Sequence, residues 1–190
     1  MWWGRAILYI MKSVIALLVM TGPVWAQDIC PPAPDHDAQR AQIMTVLAHA
    51  RDITEAQFMT NQLWQLWTDA PDAKAQALLD EGMERRLGYD FAGSRAVLDD
   101  LIAYCPDYAE GWNQRAFAAF LAEDYAAALA DLDVALGIMP DHVAALSGKA
   151  LTLIGMGRND EAQEVLRAAV KLNPWLGERA LLVEPPGKDI

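Results

Sequence analysis

Residues 111–140 decide the fold of this chain, and they read GWNQRAFAAFLAEDYAAALADLDVALGIMP. The stretch ends at Pro140, and a proline lies one 34-residue step away on either side, at Pro106 and Pro174. A fixed period of this length is typical of arrays of paired helices, in which each unit stacks on its neighbours. The period therefore predicts a helical solenoid rather than an ordinary helical bundle.

Other residues keep the same 34-residue step. We call residues that recur at this step a column. Two columns hold large apolar residues: one is Leu98, Leu132 and Leu166, and the other is Leu78, Trp112 and Leu146. Two columns hold small residues: one is Gly82, Ala116 and Ala150, and the other is Ser94, Ala128 and Ala162. Two antiparallel helices approach closely only where the side chains near their crossing are small, and large apolar residues are then buried between the pairs. Because the first unit has Ser94 in the small column, and Leu101 where the later units have Ala135 and Ala169, we expect its helices to pack less closely.

These columns resemble the tetratricopeptide repeat, most clearly over 111–140 and almost as well over 146–174. The resemblance implies an all-α solenoid whose three helix pairs occupy 75–106, 109–140 and 143–174 and together cover 75–174. Residues 27–74 lack the columns, and they are predicted to form an extended lead-in and an N-terminal capping helical hairpin. Residues 175–190 are predicted to form a short C-terminal capping helix and a tail.

Helix-capping residues agree with the period. Asp90, Asp124 and Asn159 stand where the second helix of each unit begins, and their side chains can accept a hydrogen bond from its free N–H groups. Residues 107–110 read DYAE, which is an acidic form of the capping box that opens a helix. These signals predict the helix starts independently of the repeat.

The first 26 residues have the pattern of a secretory signal peptide. They contain Arg5 and Lys12, no acidic residue, and an apolar run at 14–20 that ends before the polar Gln27. We expect cleavage after Ala26 and a periplasmic or secreted protein, with translation starting at Met1 or Met11. The alternative is an uncleaved membrane anchor, although the apolar run is shorter than the roughly 20 residues that a spanning helix needs.

The charge of the chain argues against nucleic acid as a partner. Removal of residues 1–26 takes away two basic and no acidic residues, which leaves 13 Lys and Arg against 26 Asp and Glu and a net charge of −13. A surface with this balance repels phosphates.

The only two cysteines, Cys30 and Cys105, both follow the predicted cleavage site. In an oxidising compartment we expect them to form a disulfide that staples the stiff segment 30–34 to the end of the first unit. The alternative is a pair of independent thiols, with Cys105 as a small buried apolar residue.

No catalytic motif is present in the sequence. It has no phosphate-binding glycine-rich loop with lysine, no nucleophile elbow and no paired histidines one helical turn apart. His36, His49 and His142 are scattered, and we expect them to be surface or capping residues rather than metal ligands. No cofactor or metal is predicted, and the protein is not predicted to be an enzyme.

The resemblance to the tetratricopeptide repeat implies that the first helices of the units line a concave groove. The residues that it implies as candidate contacts are Leu79, Met83, Arg86, Glu110, Asn113, Phe117, Phe120, Ser147, Leu151 and Ile154. Such a surface suits an amphipathic helix or an extended peptide. Only Asn113 and Lys149 resemble the family's clamp for a terminal carboxylate, so that mode of binding is not predicted. An alternative is that the chain covers the groove itself, with Trp64 and Trp67 of the hairpin or with the terminal helix.

The sequence therefore predicts a protein-interaction module or assembly scaffold of the cell envelope, with a protein or peptide partner. The alternatives are a membrane-anchored subunit of an envelope complex, which requires an uncleaved N-terminus, and an enzyme whose site has no recognisable motif.

Overall fold

The computed structural model describes residues 29–183, and this part of the chain consists of helices and loops without strands. The predicted leader, 1–26, and the end of the predicted tail, 184–190, lie outside the described residues. The elements are α1 (Asp37–Ala48), α2 (Ile53–Trp67), α3 (Ala73–Leu87), α4 (Phe91–Tyr104), α5 (Ala109–Leu121), α6 (Tyr125–Ile138), α7 (Val143–Gly155), α8 (Asn159–Leu172) and a 3₁₀ helix (Gly177–Leu181).

The predicted solenoid of helix pairs is confirmed. Helices α3 and α4, α5 and α6, and α7 and α8 pack as hairpins, and each hairpin packs on the next. The three column leucines Leu98, Leu132 and Leu166 are buried, and so are Ala128 and Ala162 at the helix crossings. Trp112 and Leu146 are only partly buried.

The expectation that the first unit packs less closely at Ser94 and Leu101 is wrong, and Leu101 is fully buried. Ser94 is fully buried, and its hydroxyl donates a 2.7 Å hydrogen bond to the carbonyl of Gly82 on the facing helix. A Cβ added at Gly82 would lie 2.7 Å from Leu98, so the absence of a side chain there permits the close approach. The serine is tolerated because its polar group has a partner across the crossing.

The turn inside each unit repeats with the same geometry. Tyr89, Glu123 and Gly157 are spaced by 34 residues, and all three have a positive φ, of 63°, 60° and 74°. The next N–H in each unit donates to a carbonyl five residues earlier, as in a Schellman motif that ends a helix. Two non-glycine residues therefore adopt a left-handed conformation that glycine adopts more easily.

The predicted caps are partly confirmed. Asp90 and Asp124 accept a hydrogen bond from the third residue of α4 and α6, respectively. Asn159 begins α8, but its N-cap is Arg158, which makes no side-chain cap. The capping box at 107–110 does not form, because the Glu110 side chain bonds other partners and the N-cap Tyr108 has no side-chain cap.

The N-terminal hairpin, α1 and α2, forms as predicted, but it packs far from its neighbours in sequence. Its buried residues Ile43, Leu63 and Trp67 share one apolar cluster with Val143 of the third unit, and Leu172 and Trp175 pack against that cluster. Arg40 binds Asp141, 101 residues away. The hairpin therefore covers apolar surface at the ends of α7 and α8 rather than the outer face of the first unit.

Cys30 and Cys105 form the predicted disulfide, with their Cα atoms 5.2 Å apart and 75 residues between them in sequence. Cys105 is the C-cap of α4, so the bond joins the extended lead-in to the end of the first unit. No helix within 29–183 combines the length and the apolar character needed to span a membrane.

Candidate functional site

The first helices of the three units, α3, α5 and α7, lie side by side and form one groove. The hairpin divides this groove into two parts. We call the part around the N-terminal ends of α5 and α7 the closed end, and it contains Glu110, Asn113 and His142. We call the part toward the C-terminal ends of α3, α5 and α7 the open end. It contains Met83, Arg86, Phe117, Phe120, Leu151 and Ile154, and the buried Ser147 lines its cavity.

The closed end holds a buried polar network around Glu110, which is only 1% exposed. Its carboxylate accepts hydrogen bonds from the amides of Asn113 and Gln114 and lies 2.8 Å from Nε2 of His142. Nδ1 of His142 accepts from the N–H of Ala145, so the hydrogen bonds put the ring proton on Nε2, facing Glu110. The network satisfies the buried carboxylate and caps α7 at the same time.

The hairpin seals this network from solvent. The indole of Trp67 stacks on the His142 ring, with 4.3 Å between centroids and 19° between planes. The hydroxyl of Tyr108 donates a 2.7 Å hydrogen bond to the Trp67 carbonyl, and burial raises the pKa of this phenol. His36 also binds Asp69 just after α2. The closed end is therefore part of the protein core.

The open end is an apolar cavity of about 290 Å³. Phe117, Phe120 and Leu151 form its walls, and Trp64 of the hairpin and Leu176 of the C-terminal segment face it. Phe117 remains 42% exposed, although it lies at the centre of the groove. Two buried oxygens of lining residues, Gln114 Oε1 and Ser147 Oγ, have no hydrogen-bond partner in the described part of the chain.

Arg86 lies beside this cavity. Its guanidinium carbon is 4.3 Å from the centroid of the Phe117 ring, which is a cation–π contact. Burial lowers the pKa of Arg86, and the nearby Glu110 carboxylate acts in the opposite direction; an arginine stays charged under such a shift. The open end therefore combines aromatic surface with one positive charge.

The candidate contacts from the sequence do not all lie on open surface. Leu79 is 0% exposed and packs in the core of the first unit with Leu98 and Leu101, so its expected position in the groove is wrong. The cause is local, because Ala70 and Tyr108 pack against the same cluster and cover this part of α3. Glu110 and Asn113 are buried at the closed end, and Ser147 is buried where it lines the cavity of the open end.

The remaining candidates are brought together at the open end. Met83, Arg86, Phe120, Leu151 and Ile154 are all partly exposed there, and Phe117 is the most exposed of the set. Phe117, Phe120 and Leu151 line the cavity, and Arg86 contacts Phe117; the role of the whole set in binding stays a prediction.

Sequence reasoning missed several residues of the site. Gln114 and Ala144 line the cavity from within the repeats, and Leu176 and Glu178 reach it from beyond them. His142 was expected to be a surface or capping residue; it is a cap, and it is fully buried. The spacing could have indicated this contact. Glu110 and His142 are 32 residues apart, nearly one repeat, and each stands at the start of a first helix.

The two residues that resembled a carboxylate clamp are used elsewhere. The amide of Asn113 donates to Glu110, and Lys149 pairs with Asp133 at 2.6 Å. Among residues 29–183, no cluster of three or more His, Cys, Asp or Glu side chains is arranged to hold a metal ion.

Comparison with known proteins agrees with this architecture. A family model described as tetratricopeptide repeat matches residues 119–174. A TPR repeat-containing protein of Rhizobium etli is 34% identical over 123 residues, which cover 63% of this chain and 58% of the relative's length.

Solved structures show the same fold. The TPR2B domain of yeast Sti1, in its complex with pHsp70, has a TM-score of 0.52 and 28% identity, over 53% of this chain and 81% of that domain. The first TPR of Spaghetti (RPAP3), bound to an HSP90 peptide, has a TM-score of 0.56 and 18% identity, over 58% of this chain and 88% of that one.

Proposed function

The chain belongs to the tetratricopeptide-repeat family, and from that premise we propose that it is a protein-interaction module or assembly scaffold that binds a peptide or helix of another protein. The observation that carries the proposal is the open end, where Phe117, Phe120 and Leu151 surround an apolar cavity beside a charged arginine. Exposed aromatic surface in a concave groove is typical of binding sites for an amphipathic helix or an extended peptide. The yeast domain that is 28% identical is itself in a complex with pHsp70.

The proposal locates the binding site at the open end alone. The closed end has its polar groups bonded to one another beneath Trp67, so a partner would have to displace the hairpin to reach them. At the open end the buried oxygens Gln114 Oε1 and Ser147 Oγ are acceptors that the described chain leaves unused. Hydrogen-bond donors of a bound segment can satisfy these oxygens. Such bonds would make binding specific, while the apolar contacts supply most of the affinity.

A double variant tests the site. In Phe117→Ala, Phe120→Ala, both rings at the open end are removed, and we expect capture of partner protein from an envelope extract to be lost. Phe117 is exposed and Phe120 is partly exposed, so the melting temperature should stay within about 4 °C of the wild type.

The matched control is Val134→Ala, Ile138→Ala, which removes two similarly exposed apolar side chains from α6, outside the open end. This control should capture the partner as well as the wild type does. A large fall in melting temperature for the phenylalanine variant would mean that the rings are core, and equal loss of capture in both variants would also contradict the proposal.

We also propose that the protein works in the periplasm or outside the cell, and that it catalyses no reaction. The support for this setting is the leader pattern at 1–26 and the Cys30–Cys105 disulfide, since such bonds persist in oxidising compartments. Mass spectrometry of the mature protein tests it. A mature N-terminus at Gln27 is the expected result, and an intact Met1 or Met11 would favour the membrane-anchored alternative.

A further inference from the structure

The side chain of Arg86 forms no ion pair with any residue of the described part of the chain. Within the described range, 29–183, no carboxylate lies within ion-pair distance of its guanidinium, and its buried Nε has no hydrogen-bond acceptor. The neighbouring Arg85, by contrast, binds both Glu81 and Asp90. A half-buried guanidinium with unused donors is unusual, because burial without a partner costs free energy.

The position of Arg86 explains where a missing acceptor would sit. Its guanidinium carbon lies 4.3 Å from the centroid of the Phe117 ring, and Phe117 is also a wall of the open cavity. An anion that binds the free edge of the guanidinium would therefore stand next to a large apolar group that fills the cavity. A partner segment that makes both contacts would carry an acidic residue close to a bulky apolar residue.

From these contacts we propose that the partner segment carries an internal aspartate or glutamate side chain that pairs with Arg86, close to a large apolar side chain that fills the cavity. This inference rests on the proposed function, and it specifies the chemistry of the partner. A guanidinium can hold a carboxylate through two parallel hydrogen bonds, and the contact with Phe117 keeps this guanidinium beside the cavity.

The remaining groups of the groove favour an internal side chain over a chain terminus. A C-terminal residue carries its main-chain carboxylate, and an acidic C-terminal residue carries a side-chain carboxylate as well. Asn113 and Lys149 could bind such carboxylates, but they are already bonded to Glu110 and Asp133. Arg86 alone matches one carboxylate.

The negative charge of the whole chain does not oppose this contact strongly. The net charge of the full chain is −11, but exposed charges farther away than the Debye length of about 8 Å are largely screened at physiological salt. The charges nearest the open end are Arg86, the buried Glu110 carboxylate that acts on it, and Glu178, which lines the cavity.

The test uses the mature protein and an array of acetylated, C-terminally amidated nonapeptides. Each peptide has Leu, Phe or Trp at its centre and Glu, Gln or Lys at one flanking position in an alanine and serine background. We expect the wild type to bind the best Glu peptides about 10-fold more tightly than the matched Gln peptides, as one charge-assisted pair provides. Arg86→Gln should bind both kinds equally, and Arg86→Lys should keep part of the preference.

Arg85→Gln is the matched control, since it removes the same charge from the same helix but away from the cavity. It should retain the full preference for glutamate. If the wild type binds apolar peptides without this preference, or if the preference survives in Arg86→Gln, the inference is overturned while the proposed groove stands.

Two further results would also overturn it. If a free C-terminal carboxylate on the Gln peptides reproduces the gain, the assignment to an internal side chain is wrong. If no peptide binds to the wild type, the inference and the proposed function fall together. Circular dichroism of Arg86→Gln should match that of the wild type, because the side chain makes no hydrogen bond within the described chain.

Discussion

The closed and open ends of the groove are built from the same helices, but they differ in what covers them. At the closed end, Trp67 stacks on His142 and the Glu110 network is buried. At the open end, Phe117 is 42% exposed, and Arg86 contacts the Phe117 ring without forming an ion pair in the described part of the chain. The difference arises from the hairpin α1–α2, which lies over one end and reaches the other only with Trp64.

This contrast shows how a repeat protein can use one face in two ways. Equivalent positions in successive repeats would normally share an environment, since each unit contacts its neighbours in the same manner. Here a non-repeated element converts part of the face into core and leaves the rest open, where we propose the binding site. Polar residues on the groove helices are therefore buried in core or available at the open end according to their position.

The largest expected effect separates the two tryptophans of α2. Trp67 is 5% exposed, and Trp67→Ala should lower the free energy of unfolding by about 3–5 kcal/mol, because it leaves a cavity above the His142 ring. Trp64 is 38% exposed, and Trp64→Ala should lower it by no more than about 1 kcal/mol but should weaken peptide binding. Urea unfolding followed by circular dichroism measures both, and equal losses would contradict the division into two ends.

An intermediate effect is expected from alkaline pH, and it acts through Tyr108 at the closed end. Burial raises the pKa of this phenol in the folded protein, whereas in the unfolded chain it titrates near its ordinary value of about 10. Above that pH the unfolded state loses the proton and the folded state keeps it, so stability falls as pH rises. The loss should be about 1.4 kcal/mol per pH unit above 10.

Tyr108→Phe removes this titration. Between pH 8 and pH 11 the wild type should therefore lose about 1.4 kcal/mol more stability than Tyr108→Phe does. Tyr89→Phe, at a tyrosine that is 83% exposed, should lose as much as the wild type. If all three proteins respond alike, Tyr108 is not sealed by the hairpin.

The smallest effect concerns the turns at the rim of the open end. A left-handed conformation costs a non-glycine residue about 1–2 kcal/mol. Replacement by glycine removes this strain, but glycine loses more conformational entropy on folding, which offsets part of the stabilisation. Glu123→Gly should therefore raise the free energy of unfolding by up to about 1 kcal/mol, and Tyr89→Gly by less, since it also loses the edge contact with Phe91. Gly157→Ala should have the opposite sign, and thermal unfolding of the three variants checks this order.

Much of the fold could be predicted because the repeat encodes contacts between neighbours in sequence. The prolines, the leucine column and the small residues Ala128 and Ala162 each predict a local packing event that recurs every 34 residues. The Cys30–Cys105 pair was predicted from the number of cysteines and the leader pattern. The capping aspartates Asp90 and Asp124 needed only the rule that a helix start requires an acceptor.

The groove could be predicted only in part. Phe117, Phe120 and Leu151 occupy equivalent or adjacent positions of first helices, so the period alone puts them on one surface. The burial of Leu79 and the use of Glu110 by His142 could not be predicted in this way, because both depend on what packs against the groove helices. A column records the position of a residue within its unit, and it says nothing about a neighbour from outside the array.

By itself, then, the sequence determined the period, the helix pairs and the residues that share a groove face. Only the tertiary structure decided which end of that face is core and which is open. The physical reason is the distance in sequence over which the deciding contacts act: Arg40 meets Asp141 across 101 residues, and Trp67 meets His142 from a hairpin that has no repeat columns. Such contacts depend on the shape and charge of two finished surfaces, and no local pattern encodes that match.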